Sequence, residues 1–366
     1  MTQTPDITII GGGIIGLLTA RELALAGASV TVIEKNQVGQ ESSWAGGGIL
    51  LPLYPWRQPE AIGNLALQSL KLYPSLAEHL KNESSIDPEW NPCGLLITKN
   101  PDFQQAVDWC KRYGLVYQAA DADGFKRLNT QPDHPLWLPG IAQARNPRLI
   151  KSLQQALIKQ GVRLLEHCEL TGVKLAEQRV DAISTTRGAF SINQLIVSAG
   201  AWTGQLFRQL MLDSVLQAPK IAPVKGQMLL FDATPEVLPY MVLENDHYLI
   251  PRLDGKILAG SSVEFDDFNK TTSLEVKERI SAFALNLLPA LRDFPLIGHW
   301  AGLRPGTHQG IPYIDRHPAF DNLYINAGHF RNGLVLGPAS AQLLADLILN
   351  RPALVSPEPY RLTSMH

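Results

Sequence analysis

Apolar positions along the chain follow two registers. The run ITII at 7–10 is β-branched throughout and apolar apart from Thr8, as in a strand covered on both faces. After three glycines, Leu17, Leu18, Leu23 and Leu25 recur at helical spacing, and VTVI at 30–33 is again continuous. This predicts a β-α-β unit.

Further on, CGLLITK at 93–99 reads as a strand, PDFQQAVDWCKRYG at 101–114 as an amphipathic helix, and PDHPLWLPG at 132–140 as a proline-rich connection. RLIKSLQQALIKQG at 148–161 predicts another helix. It leads into short strands at hairpin spacing in VRLLEHCELTGVKL, then an apolar strand that breaks at Ala199-Gly200-Ala201 into a helix. That piece returns to the parallel sheet.

From 216 to 294 the pattern turns antiparallel: APVKGQMLLFD, YMVLEND and HYLIPRLDGKILAGSSV, the last with an Asp254-Gly255 hairpin turn, precede a helix around SLEVKERISAFALNLLPAL. The expected organisation is two domains interleaved in the chain, a nucleotide-binding one over 1–85, 141–215 and 295–366 and an antiparallel one over 86–140 and 216–294.

Composition narrows the partners. At 366 residues with 45% hydrophobic residues, the chain can fill two cores, and a formal charge of −2 supplies no basic stripe for nucleic acid or anionic lipid. Its three cysteines lack the spacing of a metal knuckle, redox pair or disulfide framework, so no metal is expected and a reducing cytoplasm fits. The apolar start is not an export signal, since Arg21 and Glu22 interrupt it, and no other run approaches the roughly 18 apolar residues of a membrane span. No targeting segment or stable membrane association is expected.

The chemistry begins at Gly11, Gly13 and Gly16, which satisfy G-x-G-x-x-G between strand and helix. The first permits a tight turn, the second lets a pyrophosphate approach the backbone, and the third lets helix and strand pack closely. Phosphate then meets the helix N-terminus at Ile14 and Ile15. Glu34, followed by Lys35, ends the second strand where a carboxylate accepts from ribose hydroxyls. The motif leaves NAD and FAD open. Ser42 and Ser43, followed by Ala45, Gly46, Gly47, Gly48 and Ile49, offer hydroxyls for phosphate oxygens and bare backbone beside a large flat ring, unless the segment is only a surface loop.

A second helix start follows the strand NLYINAG, through His329, Phe330, Arg331, Asn332, Gly333 and Leu334. Its N–H groups suit the electron-rich edge of a reduced flavin. Lys225 either lends charge near that ring or lies on the surface.

The motifs IIGGGIIG, VIEK, SSWAGGGIL, VSAGAWTG, PVKGQ, YLIPR, WAGLRPGT, PYIDRHP and AGHFRNG extend over nearly the whole chain. In this order the chain resembles the D-amino-acid oxidase family of flavoproteins, most closely its bacterial glycine oxidases. The resemblance implies an α/β fold, with a Rossmann-like FAD-binding domain and a discontinuous antiparallel-sheet substrate domain. It implies noncovalent FAD, with Ala199, Gly200, Trp202, Gly302 and Arg304 added to the cofactor site; Val173, after a strand that would neighbour the adenine side, is a further candidate, though an isolated valine there reads first as ordinary core.

By resemblance, Arg304 clamps the substrate carboxylate, Tyr248 adds a hydroxyl, and Arg331 lies near substrate and flavin. Without it, Arg304 is a strand-end residue reaching water, Tyr248 a sheet aromatic, Arg331 a brace for the helix start and His329 a packing residue. Asp246 and Val263 fall at pocket-wall positions that vary in the family, with methionine at the latter in some members.

The implied reaction is oxidative deamination of glycine, sarcosine, D-alanine and other small amines by hydride transfer to flavin. Reoxidation by O2 gives hydrogen peroxide, and the imine hydrolyses to the 2-oxo acid. A homo-oligomer, often tetrameric, and a role in making the thiazole of thiamine are implied with it. Alternatives are a D-amino-acid dehydrogenase serving quinone and a non-catalytic flavin sensor.

Overall fold

The computed structural model describes residues 6–120, 125–210, 218–265 and 268–364. Six strands form the first sheet, in the spatial order Tyr313–Arg316, Leu323–Ala327, Gln194–Val197, Ile7–Ile10, Val30–Ile33 and Arg163–Leu165. All neighbours run parallel except the edge pair Tyr313–Arg316 and Leu323–Ala327. Ile7–Ile10 and Val30–Ile33 are buried along their whole length, which is why neither alternates in polarity.

Helices Ile14–Leu25, Glu60–Ser84, Asn146–Lys159 and Gly333–Ile348 share one core, in which Leu17, Leu65, Leu153 and Leu343 are fully buried. A second core holding Phe207, Val180 and Ile325 takes in the three-stranded antiparallel sheet of Leu170–Ala176, Arg179–Thr185 and Gly188–Ser191. The strand Ile7–Ile10 has Val30–Ile33 on one side and Gln194–Val197 on the other, so the chain winds away in both directions from it. A crevice at the carboxyl ends of the strands follows from that reversal.

The second sheet has eight strands in the order Leu296–Gly306, Ala222–Phe231, Ile257–Gly260, His247–Pro251, Met241–Glu244, Leu95–Ile97, Leu136–Leu138 and Gln118–Ala119. Only Met241–Glu244 beside Leu95–Ile97 is parallel. Helix Leu274–Leu287 packs into one core of this sheet and Phe103–Tyr113 into another.

One expectation needs correction. A boundary at 295 puts the segment Leu296–Gly306 with the nucleotide-binding part, yet it is the edge strand of the eight-stranded sheet, paired with Ala222–Phe231 from Ala222↔Gly306 to Phe231↔Leu296. Its apolar run is satisfied by that pairing, which local pattern does not reveal. The expected boundary at 215 lies outside the described residues.

Candidate active site

The sharp turn after Ile7–Ile10 builds one end of a cavity of about 470 Å3 that runs between the two sheets. Gly11 has φ +109°, and a Cβ there would stand 2.3 Å from the Ser198 carbonyl oxygen, so no side chain fits. A Cβ at Gly16 would fall 2.0 Å from the Gly11 carbonyl oxygen. Gly16 therefore serves the packing of helix on strand and does not line the cavity.

Helix Ile14–Leu25 starts at Gly13 without a side-chain cap of its own; the Ile14 N–H donates to Ser43 Oγ at 2.8 Å. Glu34 accepts from the N–H groups of Gly12 (2.8 Å) and Asn36 (2.9 Å), which fix its carboxylate at the cavity wall. Lys35 Nζ lies 4.2 Å from the centre of the Trp202 ring, which stacks on Phe268.

At the other end, bare backbone replaces side chains. Gly302 pairs with Gly226 across adjacent strands, and a Cβ on Gly302 would come within 2.6 Å of Ala45 Cβ. Trp300 Nε1 donates to the Ala45 carbonyl at 3.1 Å, fixing the short helix Ser42–Ala45 against the second sheet. A Cβ on Gly47 would meet Ile250 Cδ1 at 2.8 Å and the Tyr248 hydroxyl at 3.4 Å.

Arg304 emerges two residues beyond Gly302. Its Nη1 donates to the carbonyls of Lys225 (3.2 Å) and Ser262 (3.1 Å), and Nη2 donates to Ser261 Oγ at 2.9 Å. Those bonds use both Nη1 hydrogens and one on Nη2; the Nε and second Nη2 hydrogens form the remaining edge of the planar group, and the Tyr248 side chain lies in hydrogen-bonding contact with the guanidinium. Burial holds the guanidinium below its ordinary pKa; Tyr248 opposes that shift and Arg331 adds to it. The Tyr248 hydroxyl donates to Met228 Sδ at 3.4 Å.

The fit to a flavin dinucleotide can be tested on these atoms. Ser198 Oγ and Arg331 Nη2 are buried without a hydrogen-bond partner, and both residues line the cavity. Together with a helix N-terminus, a fixed carboxylate and a side-chain-free wall, they match phosphates, ribose and a flat polar-edged ring in sequence along one channel. The residues fit the group.

His329 Nε2 lies 3.0 Å from Ser340 Oγ, and burial pushes the imidazole pKa down to about 3, so the ring is neutral. It does not act as a proton acceptor of ordinary basicity.

Most of the expected residues converge. Gly11, Gly13, Ile14, Ile15, Glu34, Lys35, Ser42, Ser43 and Ala45 through Ile49 line the cavity, as do Ala199, Gly200, Trp202, Gly302, Arg304, Tyr248 and the segment His329 through Leu334. Five stand elsewhere. Gly16 packs as described. Val173 is half-buried against the second core, while Cys168 and Glu169 before its strand and Leu170 at the strand's start provide the lining. Asp246 is exposed in the turn between two strands, and Val263 is exposed on the loop after Ser262. Lys225 points away from the cavity: strand alternation turns Gly226 and Met228 inward, and the Lys225 ammonium pairs with Glu264 at 3.2 Å. Gly226, Met228, Glu41, Asn146 and Phe268 line the cavity without having been singled out; the PVKGQ motif was the one pointer to Gly226.

Among known proteins, the chain matches the FAD dependent oxidoreductase family over residues 6–347. It is 43% identical to a glycine oxidase of Pseudomonas putida over 363 residues, 98% of each chain. It is 30% identical over 362 residues to the bifunctional protein ThiO/ThiG of Synechocystis, covering 96% of this chain and 52% of that one. The crystal structure of glycine oxidase from Geobacillus kaustophilus superimposes with a TM-score of 0.92 over 100% of both chains at 27% identity.

Proposed function

The chain belongs to the FAD dependent oxidoreductase family, and from that premise we propose that it is an oxidase of glycine and other small amines, sarcosine and D-alanine included. The observation that carries the reading is the Arg304 edge, presented at the end of the cavity where Gly47 and Gly302 leave room for a flat ring. A guanidinium fork binds a carboxylate bidentately, and the partners of Nη1 and Nη2 already fix its plane.

FAD, when bound, supplies a two-electron acceptor for the substrate α-carbon. The protein's part is to hold and orient. Arg304 takes the acid end, and the Tyr248 hydroxyl stands beside it. The neutral His329, held by Ser340, removes no proton from the substrate, so the amine must arrive uncharged. Dioxygen is the final acceptor in this reading, giving hydrogen peroxide, and water converts the released imine to the 2-oxo acid, glyoxylate from glycine.

The likeness to ThiO/ThiG supports a role in supplying dehydroglycine to the thiazole of thiamine. Assembly as a homotetramer and work in the cytoplasm belong to the same reading, by family resemblance.

Mixing the FAD-loaded protein with glycine, sarcosine, D-alanine, D-proline and L-alanine tests it. Glycine should bleach the yellow colour under argon and yield peroxide in air. Bleaching without peroxide would turn the protein into a dehydrogenase, and no bleaching by any amino acid would leave a flavin-binding sensor.

A further inference from the structure

A second buried guanidinium stands at the same end of the cavity, behind its wall. Arg252 is only 7% exposed. Its Nη1 donates to Gln143 Oε1 (2.6 Å) and the Ala144 carbonyl (3.2 Å), and its Nη2 to the Gly47 carbonyl at 2.8 Å. Every one of these acceptors is neutral. The nearest acids acting on it, Glu89 and Asp254, are held by Arg145 at 3.3 Å and 3.1 Å, and Arg145 itself repels Arg252. Burial, with Arg145 second, pulls the Arg252 pKa down to about 10, which still leaves it charged at neutral pH.

A buried cation with no carboxylate on its hydrogen bonds is expensive to keep. Its location suggests what uses it. Gly46, Gly47 and Gly48 line the cavity, Gly47 beside Tyr248, and added Cβ atoms would lie 2.9 Å from Asn146 Nδ2, 2.8 Å from Ile250 Cδ1 and 2.1 Å from the Ala144 carbonyl oxygen. The glycine run is thus pressed onto segment 144–146, and Arg252 ties its central carbonyl to Gln143 and Ala144. Gln143 in turn donates from Nε2 to the Pro251 carbonyl at 2.5 Å, closing a loop of bonds back to the residue before Arg252.

We propose that Arg252 is a positioning residue for the flavin ring: its fork fixes the Gly46–Gly48 wall, and its permanent charge, one carbonyl behind that wall, favours the electron-richer reduced cofactor. The inference rests on FAD occupying the cavity and does not depend on which amine is oxidised. Charge near the ring is one of the means by which a protein sets flavin electronics.

Arg252→Gln and Arg252→Lys separate the two contributions, with FAD affinity read by flavin fluorescence and midpoint potential by dye equilibration, neither needing substrate. Arg252→Gln should bind FAD about tenfold more weakly and shift the potential to more negative values. Arg252→Lys keeps the charge but cannot span Gln143, Ala144 and Gly47, so it should bind FAD weakly at a near-native potential. Should Arg252→Gln not fold, Gln143→Leu, which frees the fork and keeps the charge, is expected to match Arg252→Lys in both readouts.

Native affinity and potential in Arg252→Gln would reduce Arg252 to a brace of the fold, whatever the melting temperature. Equal potential shifts in the Gln and Lys variants, or a shift in Gln143→Leu, would also overturn the role of its charge. A protein that binds FAD but ignores glycine would refute the proposed activity and leave these measurements intact.

Discussion

Replacing Gly226 by alanine isolates the fork of Arg304 without touching Arg304. A Cβ at that position would stand 2.2 Å from both Nη atoms and 2.3 Å from Cζ. The guanidinium ends a flexible stem, but the Lys225 and Ser262 carbonyls and Ser261 Oγ hold it over the glycine. It cannot keep those bonds and clear a methyl group, so the fork must swing out of register. Hydrogen bonds to a charged partner are worth roughly 1.5–3 kcal/mol each. Losing both prongs, with part of the attraction regained at a looser distance, leaves a deficit of about 3–4 kcal/mol. At ~1.4 kcal/mol per decade this is roughly 10²–10³-fold in kcat/KM. FAD binding should be untouched, since the pyrophosphate and ribose contacts lie at the far end of the cavity. The assay is peroxide release from glycine, with the dissociation constants of FAD and of a small carboxylate inhibitor measured alongside. An alanine variant that keeps native kcat/KM and native inhibitor affinity would refute the claim that this glycine seats the fork.

Other consequences follow from the same geometry. Arg304→Ala should lose about 10²–10³-fold in kcat/KM with FAD retained, and Arg304→Lys should recover little of it, because an ammonium cannot offer two parallel donors; steady-state kinetics of both decide this. The kcat/KM for glycine should climb with pH as the substrate ammonium loses its proton, and a flat profile would contradict direct hydride transfer from the uncharged amine. His329 has a folded pKa pushed down to about 3 against an ordinary 6.5, so the unfolded chain binds the extra proton between those values. Its contribution to stability is complete above pH 6.5 and falls on acidification, by about 2 kcal/mol between pH 6.5 and 5. Denaturant melts should show a shallower pH slope for His329→Gln than for the native protein, and equal slopes would count against it.

How much of this was legible depended on how local each signal was. The Gly11–Gly16 turn and Glu34 lie within one β-α-β unit, where spacing alone places them. Arg304, Tyr248 and Arg331 came from the family resemblance, because strand periodicity cannot tell a clamp from a residue reaching water. Lys225 fits neither of its two readings, being buried and turned from the cavity: the alternation of Ala222–Phe231 became assignable only once Gly226 was seen opposite Gly302. The same long-range pairing moved Leu296–Gly306 to the other sheet. Val173 belongs to a strand whose register shifts at its start, so the chain has left the cavity by the time it is reached. Asp246 and Val263 sit in a turn and a loop, whose course no apolar pattern specifies.

Gly302 and Arg304 ride on one continuous strand, two residues apart. The bare patch of wall and the acid-holding group therefore cannot slide past each other, and about 7 Å of extended backbone becomes a ruler. Measured from its acid end, only the first carbon of a substrate reaches the reacting position. β-Alanine, one methylene longer, would bring the wrong carbon there and carry its nitrogen past it, so initial-rate assays should find it inert even though it is scarcely larger than glycine. Selectivity for α-amino compounds would then be a property of length, set before any side-chain pocket is consulted.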